Sequence, residues 1–509
     1  MPAHPLVEGI DKIIKEFALS VSFPKKVSEE ARSLEGKISP LEVEHRVDLR
    51  QEVVVTIDGE TAKDFDDAVS VSSLRSGGFR LKVSIADVSY FVWPGSTIDQ
   101  EAYKRATSTY FPDRCVPMLP EKLSNDLCSL VPHQDRLTMT AEMDFDAEGK
   151  KNSHRFYRSI IRSAARLTYT KVKKILVDED AELCSSYKLL LPDLKLMAQL
   201  AQKLQEVRRK RGSLDFDLPE PSIELDLEER KIERIVKAER NMAHRLIEEF
   251  MIAANEAVAE FVTENIQPMI YRIHGEPDPE KVKDFSVLLN NLGYAFRFGK
   301  KVDPKIFITI IDAVRGRPEE RMVNTLLLRT MSRAIYEAKN QGHFGLASTC
   351  YTHFTSPIRR YPDLVVHRIL NSLLEREQRK TKVQRNGGSE SVLQRIATHC
   401  SERERNSMKA EWASRDLAAT LFMKTKVGKE YEGIIASVTK FGFFVELIPF
   451  FVEGLVSMRN LTDDYYVFHE KAHMIVGRKK KKKFQIGLPV KIRVKGVNFE
   501  KRWVDFEVV

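Results

Sequence analysis

Four aspartates, Asp58, Asp64, Asp66 and Asp67, fall within ten positions of the stretch TIDGETAKDFDDAVSV, in a chain whose formal net charge is +9. No other feature restricts the fold so tightly. The runs on either side, EVVVTI and AVSVSSL, are β-branched and apolar and read as strands. The carboxylates therefore lie in the connection between two strands, where positions 1, 7, 9 and 10 of the segment Asp58 to Asp67 can converge on one small volume. Mutual repulsion makes such a cluster costly unless a positive group compensates it. Oxygen-rich, multiply anionic sites suit hard cations, magnesium first and manganese as a substitute. An EF-hand calcium loop is excluded, because its D-x-D-x-D-G spacing and its glutamate at position 12 are missing. The other reading, a solvated acidic turn, sits poorly between two apolar strands.

The sheet continues through the turn at Ser76 to Gly78 into FRLKVSIADVSYFV, which alternates with period two, and a further strand pair is expected around the DAEGK turn at Asp146 to Lys150. Helices follow. Lys188 to Arg211 carries apolar residues three and four apart and ends at Gly212; Glu239 to Glu264 is long and unbroken. The segments ERMVNTLLLRTMSRAIYEAKNQG and YPDLVVHRILNSLLERE read as further amphipathic helices. KTKVQRNGGSE reads as a polar loop, and a charged helix is expected from about Ser391 to Met423. At Gly428 the texture returns to strands, EYEGIIASV, GFFVEL, VEGLVSM, PVKIRVKGV and RWVDFEVV, the pattern of a small OB-type barrel. The fold class is thus α+β: a lead-in at 1–45 with one short amphipathic helix, a large domain at 46–425 and a barrel at 426–509.

With 509 residues the chain is too long for a single ordinary core. No run of 18 apolar residues suggests a membrane span, and the N-terminus lacks the basic and apolar regions of a secretory signal. Five scattered cysteines without a CxxC pair read as reduced cytoplasmic thiols rather than disulfides or a zinc site. The positive charge is concentrated in RRKRG at Arg208 to Gly212 and RKKKKK at Arg478 to Lys483, which suits a polyanionic partner.

Other residues could complete a site around the aspartates. Two divalent ions about 4 Å apart can activate water and stabilise an in-line displacement at phosphorus. In HFTSPIRRYPDLVVHR, Arg359 and Arg360 stand just before a helix start. Alone they read as salt-bridge partners; beside a metal cluster they become a phosphate clamp. Tyr110 and Phe111 in TSTYFPDR offer rings either to the core or to a nucleobase. Asn241, His244, Glu248 and Asn255 form a polar stripe on an apolar helix, which either satisfies core hydrogen bonds or lines a cavity. In the barrel, Phe441, Phe443 and Phe444 with Lys440, Lys479, Lys480 and Lys481 match the equipment of OB-fold strand binders.

These stretches, TIDGETAKDFDDAVSV, IADVSYFV, TSTYFP, LCSLVP, EEFMIAANEAVA, HFTSPIRRYPDLVVHR and SRDL, stand in order from Thr56 to Leu417, and together they resemble the catalytic domain of the ribonuclease II and ribonuclease R family. GKEYEGIIASVTKFGFFVEL and VEGLVSMRNLTDDYY are similar to the S1-type RNA-binding barrel that follows it, and GSLDFDLPEP is more like ribonuclease R. The resemblance implies a processive, magnesium-dependent 3′-to-5′ exoribonuclease that hydrolyses single-stranded RNA with a free 3′ end to nucleoside 5′-monophosphates. It implies metal binding by Asp58, Asp64, Asp66 and Asp67, with Asp66, Asp67 and Arg359 catalytic. It places Tyr110 against a base near the 3′ end, and the polar helix stripe along an RNA channel. A cytoplasmic monomer without membrane contact or small-molecule cofactor is expected. Two departures stand out. The chain begins near where the family's paired cold-shock barrels end, and Ser414 occupies the place of a glutamate in ribonuclease II. The alternatives are an RNA-binding regulator that has lost catalysis, disfavoured by the full aspartate set, and an endonuclease or DNA-directed enzyme.

Overall fold

A computed structural model describes residues 5–215, 221–226, 231–237, 239–299, 302–317, 319–379, 389–470 and 473–509. The loop expected at KTKVQRNGGSE lies almost wholly outside them. The first layer is a seven-stranded mixed sheet, with strands in the spatial order Val47–Asp48, Lys151–Arg162, Asp135–Phe145, Phe79–Ala86, Asp67–Ser73, Val55–Asp58 and Ala165–Thr168. Strand Val55–Asp58 runs parallel to Ala165–Thr168 over its whole length but meets Asp67–Ser73 only at Val55 and Val69. The two aspartate-bearing strands therefore splay apart, and the loop between them opens where the carboxylates stand.

Apolar alternation buries one strand face under Leu191–Arg211, Met242–Glu264 and Tyr361–Arg379. The first of these helices ends where the sequence marks it: Gly212 adopts φ +114°, a conformation that side chains resist, and donates its N–H to the carbonyls of Arg208 and Arg209. Between the helices, Arg208 makes a buried two-pronged pair with Glu249 at 2.8 and 2.7 Å.

A second core joins helices Pro279–Asn291, Pro304–Val314 and Glu320–Thr330 to the C-terminal barrel. Across this seam Arg321 pairs with Glu446 at 2.7 Å. The barrel closes in the order Glu430–Thr439, Gly442–Leu447, Glu453–Ser457, Trp503–Val508 and Pro489–Asn498, the five strands read from the sequence. A three-stranded sheet, Tyr466–His469, Met474–Gly477 and Lys483–Gln485, is inserted between the third and fourth of these in chain order, and the basic run Lys479 to Lys482 forms its second turn.

One expected helix is interrupted. The segment from Glu320 stays helical only to Thr330, and Ala334–Glu337 is a strand paired antiparallel with Tyr271–His274. The partner strand, distant in sequence, recruits Ile335 and Tyr336, which favour extended backbone. The 35-residue helix Glu390–Lys424 then leads into the barrel. Helix Pro5–Glu16 lies against it so closely that a Cβ at Gly9 would stand 2.3 Å from Leu417 Cδ2. Among the described residues no helix is long and apolar enough to cross a membrane.

Candidate active site

Three segments meet at the splayed end of the sheet. Asp58 closes one strand, Asp67 opens the next, and Asp64 and Asp66 lie between them. Asp66 is 2% exposed and ties the segments together. Its carbonyl accepts from Ala86 N at 2.9 Å, and its Oδ1 accepts from Ile358 N at 2.9 Å. Its Oδ2 has no hydrogen bond and faces Arg359 Nε at 3.4 Å. The segment carrying Arg359 is joined in turn to the ribbon carrying Tyr110: Ser108 N donates to Arg359 O at 3.0 Å and Tyr361 N to Ala106 O at 2.9 Å. The Tyr110 hydroxyl donates to Asp64 Oδ2 at 3.0 Å.

Electrostatically the cluster is undercompensated. Burial raises the pKa of Asp58, and the charge of Asp67 raises it further. Burial also raises Asp66 and Asp67, against the opposing pull of Arg359. Asp58 Oδ2 and Asp66 Oδ2 are buried without hydrogen-bond partners, an arrangement that suits a divalent cation far better than isolated carboxylates. Among the described residues no three His, Cys, Asp or Glu side chains form a ready-made cage, so the fit rests on these orphaned oxygens.

The arginine pair divides. Arg359 is 47% exposed by side chain and faces the cluster. Arg360 turns away, both prongs taken by Asp363 in the first turn of the following helix at 3.0 and 2.7 Å, so the pair is not a joint phosphate clamp.

The helix stripe also divides. Asn241 is the N-cap of Met242–Glu264, accepting from Ala243 N and His244 N, and does not stand on the helix face. Asn255 is buried; its amide N–H donates to Tyr351 Oη at 3.0 Å and its oxygen accepts from Phe354 N at 2.8 Å. Both polar ends being spent inside the core, Asn255 is a bracket for the segment leading to Arg359 and not an RNA contact. Glu248 pairs with Arg240 at 2.7 Å. His244 stacks on Tyr169, with centroids 3.9 Å apart.

In the barrel, Phe441 is 51% exposed and Phe444 half-buried, but Phe443 is fully buried and stacks on Phe484. Phe443 is thereby corrected to a core residue: strand alternation sends Phe443, Val445 and Leu447 inward and Phe444 outward, while Phe441 stands in the turn before the strand. Lys479, Lys480 and Lys481 are exposed, and the turn is pinned by Asp464, whose carboxylate accepts the backbone N–H of Lys479 and Lys480.

Several site residues escape a reading of the sequence. Arg166 donates to the carbonyls of Gly59 and Glu60 at 2.6 and 2.8 Å and straps the aspartate loop. Tyr169 stands within the field of Asp67 and Asp58, which together with burial raises its pKa. On the barrel, Trp503 lies under Lys501 and Tyr465 under Arg478, exposed ring–cation pairs whose signals are the adjacent KRW and DDYY. Arg166 and Tyr169 carry no such signal, since only the fold brings them to the cluster.

The sequence matches the RNB domain family over residues 46–376 and the S1 RNA binding domain family over 424–508. It is 44% identical over 504 residues to ribonuclease R of Aquifex aeolicus, covering 98% of this chain and 70% of that one. The chain belongs to the ribonuclease R family. A second member of that family, ribonuclease R of Escherichia coli, is 42% identical over 98% of this chain and 62% of its own length, so the chain spans about two thirds of these relatives. The fold agrees with that of Mycoplasma genitalium RNase R, solved in complex with ribose-methylated single-stranded RNA, with a TM-score of 0.91 and 30% identity over 99% of this chain and 78% of that one. The long helix Glu390–Lys424 falls between the two matched regions and joins them.

Proposed function

We propose that this chain hydrolyses single-stranded RNA processively from its 3′ end and releases nucleoside 5′-monophosphates. The observation that carries the reading is the undercompensated cluster itself: Asp66 and Asp67 buried beside a half-buried Asp58, an orphaned oxygen on each of Asp58 and Asp66, with Arg359 3.4 Å from Asp66. Asp58, Asp64, Asp66 and Asp67 would hold magnesium, for which manganese can substitute. With magnesium held there, the site gains the Lewis acid that in-line displacement at phosphorus uses.

The remaining work belongs to side chains. The Arg359 guanidinium, always charged, binds the scissile phosphate and offsets the negative charge that grows on it. Tyr110, 42% exposed beside Asp64, offers its ring to the base near the 3′ end. Asp66 places the Arg359 segment through Ile358 N and so keeps clamp and carboxylates in one frame. His244 and Glu248 border the path toward the cluster, and Phe441, Phe444 and Lys479 to Lys481 bind RNA upstream. The reading includes action as a monomer without an organic cofactor. Five free cysteines support a reducing, cytoplasmic setting.

A 5′-labelled RNA and its DNA twin, incubated with the chain and magnesium, test this. A ladder of shortening RNA ending in a small limit fragment, with mononucleotide released and the DNA left intact, is the expected result. Retention of RNA without shortening would instead assign the chain to binding alone.

A further inference from the structure

The ring of Tyr110 is too exposed for packing to lock it, yet it is held at both ends. Tyr110 belongs to a two-stranded ribbon in which Thr109–Tyr110 pairs with Cys115–Val116. Its hydroxyl is engaged by Asp64, as described above. At the other end, its backbone N–H donates to Glu411 Oε1 at 2.9 Å. Glu411 sits on the long helix Glu390–Lys424 and is half-buried. Ser407, one turn earlier on that helix, lies 3.4 Å from the same carboxylate oxygen and bonds Thr109 Oγ1 at 2.8 Å. The ribbon beyond the ring is clamped as well, with Phe111 buried against Leu6 and Ile10 of the N-terminal helix and Ala410 and Ala413 of the long one.

We propose that Glu411 is a positioning residue for the 3′-terminal nucleotide: by fixing the Tyr110 backbone it sets the height at which the ring meets the terminal base above the aspartates. This rests on the exonuclease reading of the site. Glu411 acts only through Tyr110. The donor it serves is a neutral amide, so the interaction requires an acceptor oxygen and not a negative charge; glutamine satisfies it and alanine does not. Without that hydrogen bond the Tyr110 backbone loses its direct tie to the long helix, the base is set wrongly, and the phosphate shifts relative to Arg359. A displacement of about 1 Å from productive geometry can lower a rate by about a hundredfold.

The test uses the full chain with magnesium and short single-stranded RNAs. Steady-state cleavage is measured for the parent, Glu411→Ala, Glu411→Gln, Tyr110→Ala and the double variant Glu411→Ala/Tyr110→Ala. In parallel, quenching of a 2-aminopurine at the RNA 3′ terminus is measured on binding to the same set in an Asp66→Asn background. Glu411→Ala is expected to lower kcat by about ten- to a hundredfold, with little change in KM for RNAs long enough to reach the barrel, and to abolish the quenching. Glu411→Gln should stay within about threefold of the parent, and the double variant should be no worse than Tyr110→Ala alone. Equal damage from Gln and Ala, full quenching in Glu411→Ala, or multiplying effects in the double variant would overturn the proposal. If Glu411→Ala lowers the thermal midpoint, Ser407→Ala decides: it must shift quenching in the same direction by a smaller amount, and unchanged quenching there counts against the proposal. If the parent chain shortens no RNA, the exonuclease reading falls, while the quenching series still judges Glu411.

Discussion

At the scale of single residues, the aspartate cluster makes demands that can be measured. Asp66 has one oxygen committed to Ile358 N and the other bare toward Arg359, so Asp66→Asn keeps the size but loses the charge. It should bind RNA like the parent and cleave about a thousandfold more slowly, as single-turnover kinetics would register. Arg359→Lys keeps a positive charge but loses the planar fork, and a loss of about a hundredfold in kcat is expected from the same assay. A pH dependence follows from the raised pKa values of Asp58, Asp66 and Asp67. With Asp67 raised to about 6 and Asp58 to about 8, protons leave these carboxylates progressively between pH 6 and pH 8, and protons compete with cations for the same oxygens. The magnesium concentration giving half-maximal cleavage should therefore fall as pH rises across that interval; a flat dependence would remove the cluster as the metal site. The four aspartates were legible because they are neighbours in sequence and their flanks are unmistakable strands. Asn255 and Phe443 read as candidate RNA contacts in the sequence for the opposite reason: spacing leaves open whether such a side chain lines a cavity or packs inside, and only tertiary partners, Tyr351 and Phe354 for one and Phe484 for the other, show that both point inward.

At the scale of elements, periodic patterns placed Leu191–Arg211, Met242–Glu264 and the five barrel strands within a few residues, since each is written by local alternation and marked stops. The strand Ala334–Glu337 was not legible, because its extended form depends on Tyr271–His274, more than sixty residues earlier. Neither was the strapping of the aspartate loop by Arg166, which reaches Gly59 from a neighbouring strand. The pairing of the two central helices gives a stability test. Arg208→Met would leave Glu249 buried and unpaired, and burial alone already raises the pKa of that carboxyl. The expected loss is about 3 to 5 kcal/mol in urea denaturation. Replacing Arg208 and Glu249 together by apolar residues should restore much of it.

At the scale of the whole molecule, the barrel is not an appendage. Helices Pro279–Asn291, Pro304–Val314 and Glu320–Thr330 share one apolar core with it, and Met423 at the end of the long helix is buried in the same core. Deleting residues 426–509 should therefore lower the thermal midpoint or cause aggregation, in addition to weakening RNA binding. Replacing Lys479, Lys480 and Lys481 by alanine should leave the midpoint unchanged. Its expected effect is a smaller dependence of RNA affinity on salt, by about one unit of slope for each phosphate that is no longer neutralised, measured by titration at several ionic strengths.

The backbone bonds joining Ser108 to Arg359 and Ala106 to Tyr361 have a consequence for how such a machine would advance. The ring proposed to receive a base and the guanidinium proposed to receive a phosphate are borne on one continuous frame, so neither can slide past the other. Distance along the strand is then gauged by the protein itself. On the proposed reading each cycle would have to bring forward one whole nucleotide, because a partial advance could satisfy the base or the phosphate but never both.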